Sequence, residues 1–151
     1  IKENVVLLDQ VIDQYKSAKI IVVGHSLGGY MALNLSSCNI YGRVLIGSFA
    51  HFRTNRIDIS SEKLLQNIRN GFSISTPSVI IDSFIKNNVA SEKCFENDYK
   101  MTHSLEYPPK IQKLPCDTLV IHGVDDNVVS ERQTKRLVKY MIYAKVVNIP
   151  K

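Results

Sequence analysis

The stretch from Ile20 to Leu33 constrains the fold more than any other part of the chain. It begins with four β-branched residues, passes through a glycine-rich segment and continues from Tyr30 into a helical pattern. Consecutive β-branched residues are typical of a buried strand, and the glycines permit a sharp turn before the helix. A strand that is apolar on both faces predicts a parallel sheet covered by helices on each side.

The turn within this stretch reads Gly24-His25-Ser26-Leu27-Gly28, which is the layout of a nucleophile elbow. An elbow of this kind holds its serine in a strained conformation, so residues two positions before and after the serine must be small. Gly24 and Gly28 meet that need. Because a serine hydroxyl is a poor nucleophile without a base and a carboxylate that holds the base, Ser26 requires an acid and a histidine elsewhere.

The remaining periodicity predicts an α/β fold with alternating helices and buried parallel strands. The predicted strands are Lys19–Gly24, Arg43–Ser48, Thr118–Gly123 and Lys145–Ile149. A helix over Glu3–Tyr15 should present one apolar face formed by Val5, Leu8, Val11, Ile12 and Tyr15. Further predicted features are a helix to about Ser37, a loop at Cys38–Gly42 and a capping box of Ser130 and Gln133 that opens a helix.

The strand signal disappears between His51 and about Lys113. Ser60 or Ser61 can cap one helix that Asn70-Gly71 ends, Thr76-Pro77 can start a second, and a weaker third fits between Ser91 and Met101. This is more chain than a crossover needs, so we expect an inserted helical cap over the carboxyl ends of the strands. The alternative is a second packed helical layer with no role in binding. The predicted organisation is therefore core at 1–50, cap at 51–114 and core at 115–151.

Composition and charge narrow the functional classes. The 151 residues are 44% hydrophobic and 22% charged, as in an ordinary globular domain, and the net charge of +5 is spread along the chain. An ordinary basic surface is favoured over a nucleic-acid or membrane patch. The three cysteines, Cys38, Cys94 and Cys116, lack C-x-x-C spacing, which argues against a disulfide framework or a zinc site and favours a reducing, cytoplasmic location. The sequence contains no apolar run long enough to span a bilayer.

Two acidic residues follow the third predicted strand. Reactive groups collect outside the carboxyl ends of parallel strands, and Asp125 and Asp126 stand after that strand as Ser26 stands after the first. From position alone, either could serve a catalytic site. Equally, both could simply stabilise the turn, as Asp often does.

Two motifs together resemble the C-terminal portion of an α/β-hydrolase. The first is the strand, turn and helix around Ser26, and the second is Pro-Cys-Asp-Thr-Leu-Val-Ile-His-Gly-Val-Asp-Asp-Asn-Val-Val-Ser at 115–130, followed by a helix and a strand. The resemblance extends over essentially the whole chain and is weak across the cap. In that family the triad acid follows a strand-ending glycine after two residues, so the resemblance selects Asp126 over Asp125.

The resemblance also implies parts that this chain lacks. In the family, the triad histidine follows the final strand, and the second oxyanion donor follows a strand earlier than the helix at Glu3. Only the backbone N–H of Leu27 can therefore be assigned to the oxyanion hole. We expect the chain to be a piece of a longer hydrolase, with an exposed edge on its first strand that favours association.

None of the four histidines fits the missing position. His25 is expected to point away from the nucleophile into packing, and His122, inside a strand, to be buried and hydrogen-bonded. His103 should lie on the surface of the cap. His51 follows the second strand and can overhang the pocket, so His51 and His25 are the candidate substrate contacts.

The expected function of the complete protein is hydrolysis of a small to medium hydrophobic carboxylic ester through an acyl-enzyme. Ser26 is the expected nucleophile, Asp126 the acid and Leu27 the oxyanion donor, with no metal and no organic cofactor. The expected partner is the small ester or acyl substrate, with no nucleic acid and an undetermined oligomeric state. The alternatives are an inactive binding module of the same fold and an acyltransferase that uses an alcohol in place of water.

Overall fold

The computed structural model describes residues 1–50, 61–88, 97, 100–102, 105, 116–139 and 141–150. The chain divides into two units: the first comprises Ile1–His51 and Glu106–Lys151, and the second comprises Phe52–Leu105. The strands are β1 (Ile20–His25), β2 (Ile40–Ile46), β3 (Asp117–Gly123) and β4 (Ala144–Ile149). The helices are α1 (Lys2–Asp13), α2 (Leu27–Asn34), α3 (Ser61–Asn70), α4 (Ser78–Asn88) and α5 (Glu131–Val138).

The first unit contains a four-stranded parallel sheet in the order β1-β2-β3-β4, flanked by helices. Its core lies on the face covered by α2 and α5, where Leu33, Leu45 and Leu137 are fully buried around Val120. In register, Gly24 pairs with Leu45 and Leu45 with Val120, so the buried residues form one row across the sheet. The predicted α/β architecture is confirmed.

The opposite face of β1 differs from the expectation. Ile21 and Val23 point to that face and are 60% and 63% exposed, so the prediction of a strand covered on both sides is wrong for the described residues. The predicted apolar face of α1 is also only partly covered, since Val5 is buried whereas Leu8 and Val11 are exposed. In the described part of the chain β1 pairs with β2 alone, which confirms the expected free edge.

The segment between α2 and β2 begins and ends three residues earlier than predicted. The helix ends at Asn34 and β2 begins at Ile40, so the predicted loop at Cys38–Gly42 is wrong over its last three residues. The buried Arg43 guanidinium explains this end of the helix, because its Nε donates to the carbonyl of Ala32 and its Nη2 to that of Leu35, each at 3.0 Å.

The second unit is helical where it is described. The ends predicted at Asn70 for α3 and near Thr76-Pro77 for the start of α4 are confirmed. Arg69 of α3 forms an ion pair of 2.6 Å with Asp82 of α4. Most of the predicted third helix lies outside the described residues, and the cap boundaries and position remain predictions. Among the described helices, none has the length and apolar character needed to cross a membrane.

Candidate functional site

Ser26 occupies a strained backbone position between β1 and α2. Its φ is 50° and its ψ is −118°, and it is the only described residue other than glycine with a positive φ. A side chain in this region of conformational space costs about 1–3 kcal/mol and persists only where the surroundings enforce it. Here the Ser26 N–H donates to the Ile46 carbonyl at 3.0 Å, and the hydroxyl makes no cap hydrogen bond to α2. The half-buried hydroxyl is therefore not consumed by the helix it precedes.

Close backbone contacts around Ser26 require glycine at two positions. A Cβ on Gly24 would lie 2.5 Å from the Gly28 carbonyl oxygen, and a Cβ on Gly29 would overlap the Ser48 hydroxyl. A Cβ on Gly28 would meet nothing within 4 Å among the described residues. The prediction that Gly28 must be small is therefore wrong, and the constraint falls one residue later because Gly29 faces Ser48.

Three donors converge on the Ser26 carbonyl oxygen. They are the Gly29 N–H at 3.0 Å, the Tyr30 N–H at 3.4 Å and the Ser48 hydroxyl at 3.0 Å. The next amide, Leu27 N–H, is the first of α2 and has no backbone acceptor within the described chain. It is one of the unsatisfied amides at a helix N-terminus, which favour a nearby negative charge.

Asp126 lies in the turn between β3 and α5, half-buried, whereas Asp125 is exposed. Asp126 Oδ1 accepts hydrogen bonds from the N–H groups of Val128 and Val129, each at 2.8 Å. Its Oδ2 lies 3.3 Å from the position that a Gly47 Cβ would occupy. Oδ1 therefore stabilises the turn, and Oδ2 faces the residue that follows β2.

Gly47 brings the ends of three strands together. Its φ is 49°, a conformation that favours glycine, and its N–H donates to the Ile121 carbonyl of β3 at 2.9 Å. The His25 ring lies 3.9 Å from the same Cβ position that Asp126 Oδ2 approaches. A side chain at Gly47 would therefore crowd both groups. His25 is exposed rather than packed, which corrects the expectation for its side chain.

His122 takes no part in this cluster. It is 2% exposed, and its Nδ1 lies 3.1 Å from the Thr134 hydroxyl of α5, so the predicted buried and hydrogen-bonded histidine is confirmed. Its Nε2 has no partner among the described residues. His51 and His103 both fall outside the described residues, and their expected places remain predictions.

Gly47, Ser48 and Gly29 are the site neighbours that sequence reasoning missed. The first two follow β2 at the sheet edge where Ser26 follows β1, so strand ends were the signal that could have found them. The predicted second strand ran through Ser48 and concealed them inside a buried segment. The described cluster offers a hydroxyl, a carboxylate and a free amide, and the described residues contain no group of metal-ligating side chains.

At α5, beyond the Asp126 turn, the predicted capping box is present, with the Ser130 N–H donating to Gln133 Oε1 at 2.7 Å. Glu131 and Lys135 form an exposed ion pair of 2.8 Å in the same helix. The hydrogen bond and charge of Lys135 lower the pKa of the Glu131 carboxyl. The capping box satisfies an amide at the start of α5, directly after the turn that carries Asp126.

Comparison with known proteins places the fold. The model of an uncharacterised protein family, UPF0227, matches residues 2–149. No curated protein matches the chain. Among solved structures, a thermophilic esterase superposes with a TM-score of 0.76 at 20% identity, covering 98% of this chain and 63% of that one.

Two other solved structures agree. An esterase from Exiguobacterium antarcticum gives a TM-score of 0.72 at 17% identity, covering 95% of this chain and 63% of the esterase. An α/β-hydrolase enzyme from a Medee basin deep-sea metagenome library gives a TM-score of 0.67 at 19% identity, covering 97% of this chain and 62% of that enzyme. The chain thus spans less than two thirds of the length of these enzymes, and the similarity shows a partial α/β-hydrolase fold.

Proposed function

Because the chain belongs to the uncharacterised protein family UPF0227 and has a partial α/β-hydrolase fold, we propose that it carries the nucleophile and acid of a serine hydrolase. The observation that supports this most is the strained backbone of Ser26, which Gly24 and Gly29 permit and which leaves the hydroxyl free of the helix. Strain of this kind is retained at functional sites because the surrounding structure enforces it. A serine that merely capped a helix would use its hydroxyl on the helix amides.

In the proposed reaction, Ser26 Oγ attacks the carbonyl carbon of an ester while its proton passes to a histidine. The Leu27 N–H donates to the oxygen on which negative charge develops. Asp126 Oδ2 holds the histidine in the tautomer that accepts the proton and stabilises the imidazolium. The histidine then protonates the departing alcohol, and water releases the acid from the acyl-enzyme. We assign that histidine to a segment outside these 151 residues.

The proposed substrate is a small to medium hydrophobic carboxylic ester. Ligand pockets are lined mainly by apolar groups with a few polar anchors, which favours a hydrophobic acyl or alkyl group in the substrate. His25, exposed beside Gly47, is the proposed polar contact, together with His51. The chemistry requires neither a metal nor an organic cofactor.

A second candidate is a binding module that has the fold without the activity. It is favoured by one observation: no hydrogen bond joins Asp126 to a histidine within the described residues. In that case the only role of Asp126 would be to stabilise the turn between β3 and α5. Ser26 would contact a ligand without forming an ester bond to it.

A fluorophosphonate probe tests the nucleophile in the longest natural protein that contains this chain. We expect labelling of the wild type, loss of labelling in Ser26→Ala and unchanged labelling in Ser37→Ala, which removes an exposed hydroxyl bonded to Asp13. Labelling that survives in Ser26→Ala would exclude Ser26. An unlabelled wild type would favour the binding module.

The 151-residue chain by itself should not turn over a p-nitrophenyl ester. Appreciable turnover, lost in Ser26→Ala, would mean that the base lies inside this chain and that the assignment of an external histidine is wrong.

A further inference from the structure

We infer that Ser48 is a positioning residue that aims the Leu27 amide at the oxyanion. This inference rests on the proposed function, since it assumes that Ser26 is the nucleophile and Leu27 N–H the donor. Ser48 follows β2, belongs to neither proposed catalytic group and is 1% exposed. Its hydroxyl donates to the Ser26 carbonyl at 3.0 Å.

The link between Ser48 and Leu27 is the peptide bond that joins Ser26 to Leu27. A trans peptide is planar, so its carbonyl oxygen and its N–H point in opposite directions. Holding the Ser26 oxygen on one side therefore fixes where the Leu27 N–H points on the other. Rotation about ψ of Ser26 would turn the plane of this peptide, and that angle is −118° in the structure.

Ser48 differs from the other two donors to this oxygen. The Gly29 and Tyr30 amides belong to α2, so their bonds fix the peptide relative to the helix that it begins. The Ser48 bond instead connects the peptide to the segment that follows β2, which the Gly47 N–H ties to β3 at 2.9 Å. The Ser48 bond therefore fixes the orientation of the Ser26–Leu27 peptide relative to the sheet. The Asp126 turn follows a strand of the same sheet.

The local packing is arranged around this hydroxyl. A Cβ on Gly29 would overlap Ser48 Oγ and lie 2.5 Å from Ser48 Cβ, so Gly29 leaves the space that Ser48 fills. Oxyanion donors act through geometry that is set before the reaction, and removal of one such donor costs about 100- to 1,000-fold in rate. A donor that is present but misdirected should cost less than a missing one.

The test compares Ser48→Ala with Thr118→Val, in the longest natural protein that contains this chain. Thr118 is also buried, at 2% exposure, but its hydroxyl has no partner among the described residues, so its loss controls for removal of a core hydroxyl. We expect Ser48→Ala to slow fluorophosphonate labelling of Ser26 at least about tenfold and to lower kcat with little change in KM. Thr118→Val should do neither.

The Leu27 amide provides a readout that does not depend on activity. In Ser48→Ala, its ¹H–¹⁵N resonance should shift and its hydrogen exchange should change well below the melting temperature, while Thr118→Val leaves both unaltered. If Ser48→Ala fails to fold, Ser48→Cys replaces it, because a thiol fills the site and is a weak donor. Its effects should be in the same direction.

The inference requires both changes. Wild-type labelling rates in the Ser48 variant, or an unaltered Leu27 resonance, would overturn it and leave Ser48 as a packing residue. Labelling that persists in Ser26→Ala would instead overturn the proposed function, and the amide resonance would still report whether Ser48 orients the peptide.

Discussion

The turns after β1 and β3 each hold a proposed catalytic side chain directly after a strand, but by different physical means. At Ser26 the backbone adopts a positive φ that neighbouring glycines and three donors to one carbonyl enforce. At Asp126 the carboxylate itself builds the turn, through two hydrogen bonds from amides two and three residues later. The conformation of Ser26 is thus fixed by neighbouring residues, whereas the Asp126 carboxylate itself fixes the conformation of the turn around it.

This difference predicts which substitutions each turn tolerates. At the first turn, the Ser26 side chain makes no cap bond to α2, whereas Gly24 and Gly29 leave no space for a Cβ. At the second turn, removal of the Asp126 side chain also removes the acceptor of two turn amides. Removal of the Asp126 side chain should therefore lower the free energy of unfolding, whereas removal of the Ser26 side chain should not.

The largest effect is expected at Gly24. In Gly24→Ala the new methyl group would lie 2.5 Å from the Gly28 carbonyl oxygen and 2.7 Å from Gly29 Cα, both of them backbone atoms that can yield only if α2 moves. We expect the free energy of unfolding in urea to fall by about 3 kcal/mol or more.

Gly28→Ala is the matched control for that experiment. Its methyl group meets open space among the described residues, and alanine is the better helix former, so stability should rise by up to about 1 kcal/mol. Equal destabilisation by the two variants would show that the close approach at Gly24 is not the cause of the loss.

A smaller effect is expected at Asp126. Asp126→Ala leaves the Val128 and Val129 amides without their acceptor and should cost about 1–2 kcal/mol of unfolding free energy. Asp126→Asn keeps an amide oxygen at that position and should change stability by less than about 0.5 kcal/mol while abolishing catalysis in the longer protein. A large stability loss in both variants would mean that the charge of Oδ1, rather than its acceptor geometry, holds the turn.

The sequence predicted the parallel sheet because four β-branched or aliphatic runs alternate with helical periods. It did not predict which face of β1 is covered, since Ile21 and Val23 read the same whether or not another layer packs on them. The early end of α2 was also missed, because Arg43, a distant residue, satisfies the helix carbonyls.

For the site, the sequence pattern was enough to select Ser26 as a candidate and to leave Asp125 and Asp126 as alternatives, because all three lie in short turns directly after strands. The choice of Asp126 came from the resemblance to the α/β-hydrolase family. The crowding at Gly29 and the role of Ser48 could not be predicted, since they depend on contacts between residues about twenty positions apart. Similarly, the approach of the His25 ring and of Asp126 Oδ2 to Gly47 could not be predicted, because the Gly47 turn was hidden inside a predicted strand.

The smallest effect is expected at Ser26 itself. Ser26→Gly removes the side chain that makes a φ of 50° unfavourable, so unfolding free energy should rise by about 1 kcal/mol, even though any activity is lost. Ser26→Ala also lacks the hydroxyl but keeps the Cβ, and its stability should stay within about 0.5 kcal/mol of the wild type. If alanine stabilised the protein as much as glycine, the cost would come from the half-buried hydroxyl and not from the backbone. A gain confined to glycine would instead mean that the strain is stored in the main chain, where the neighbouring glycines and the carbonyl donors enforce it.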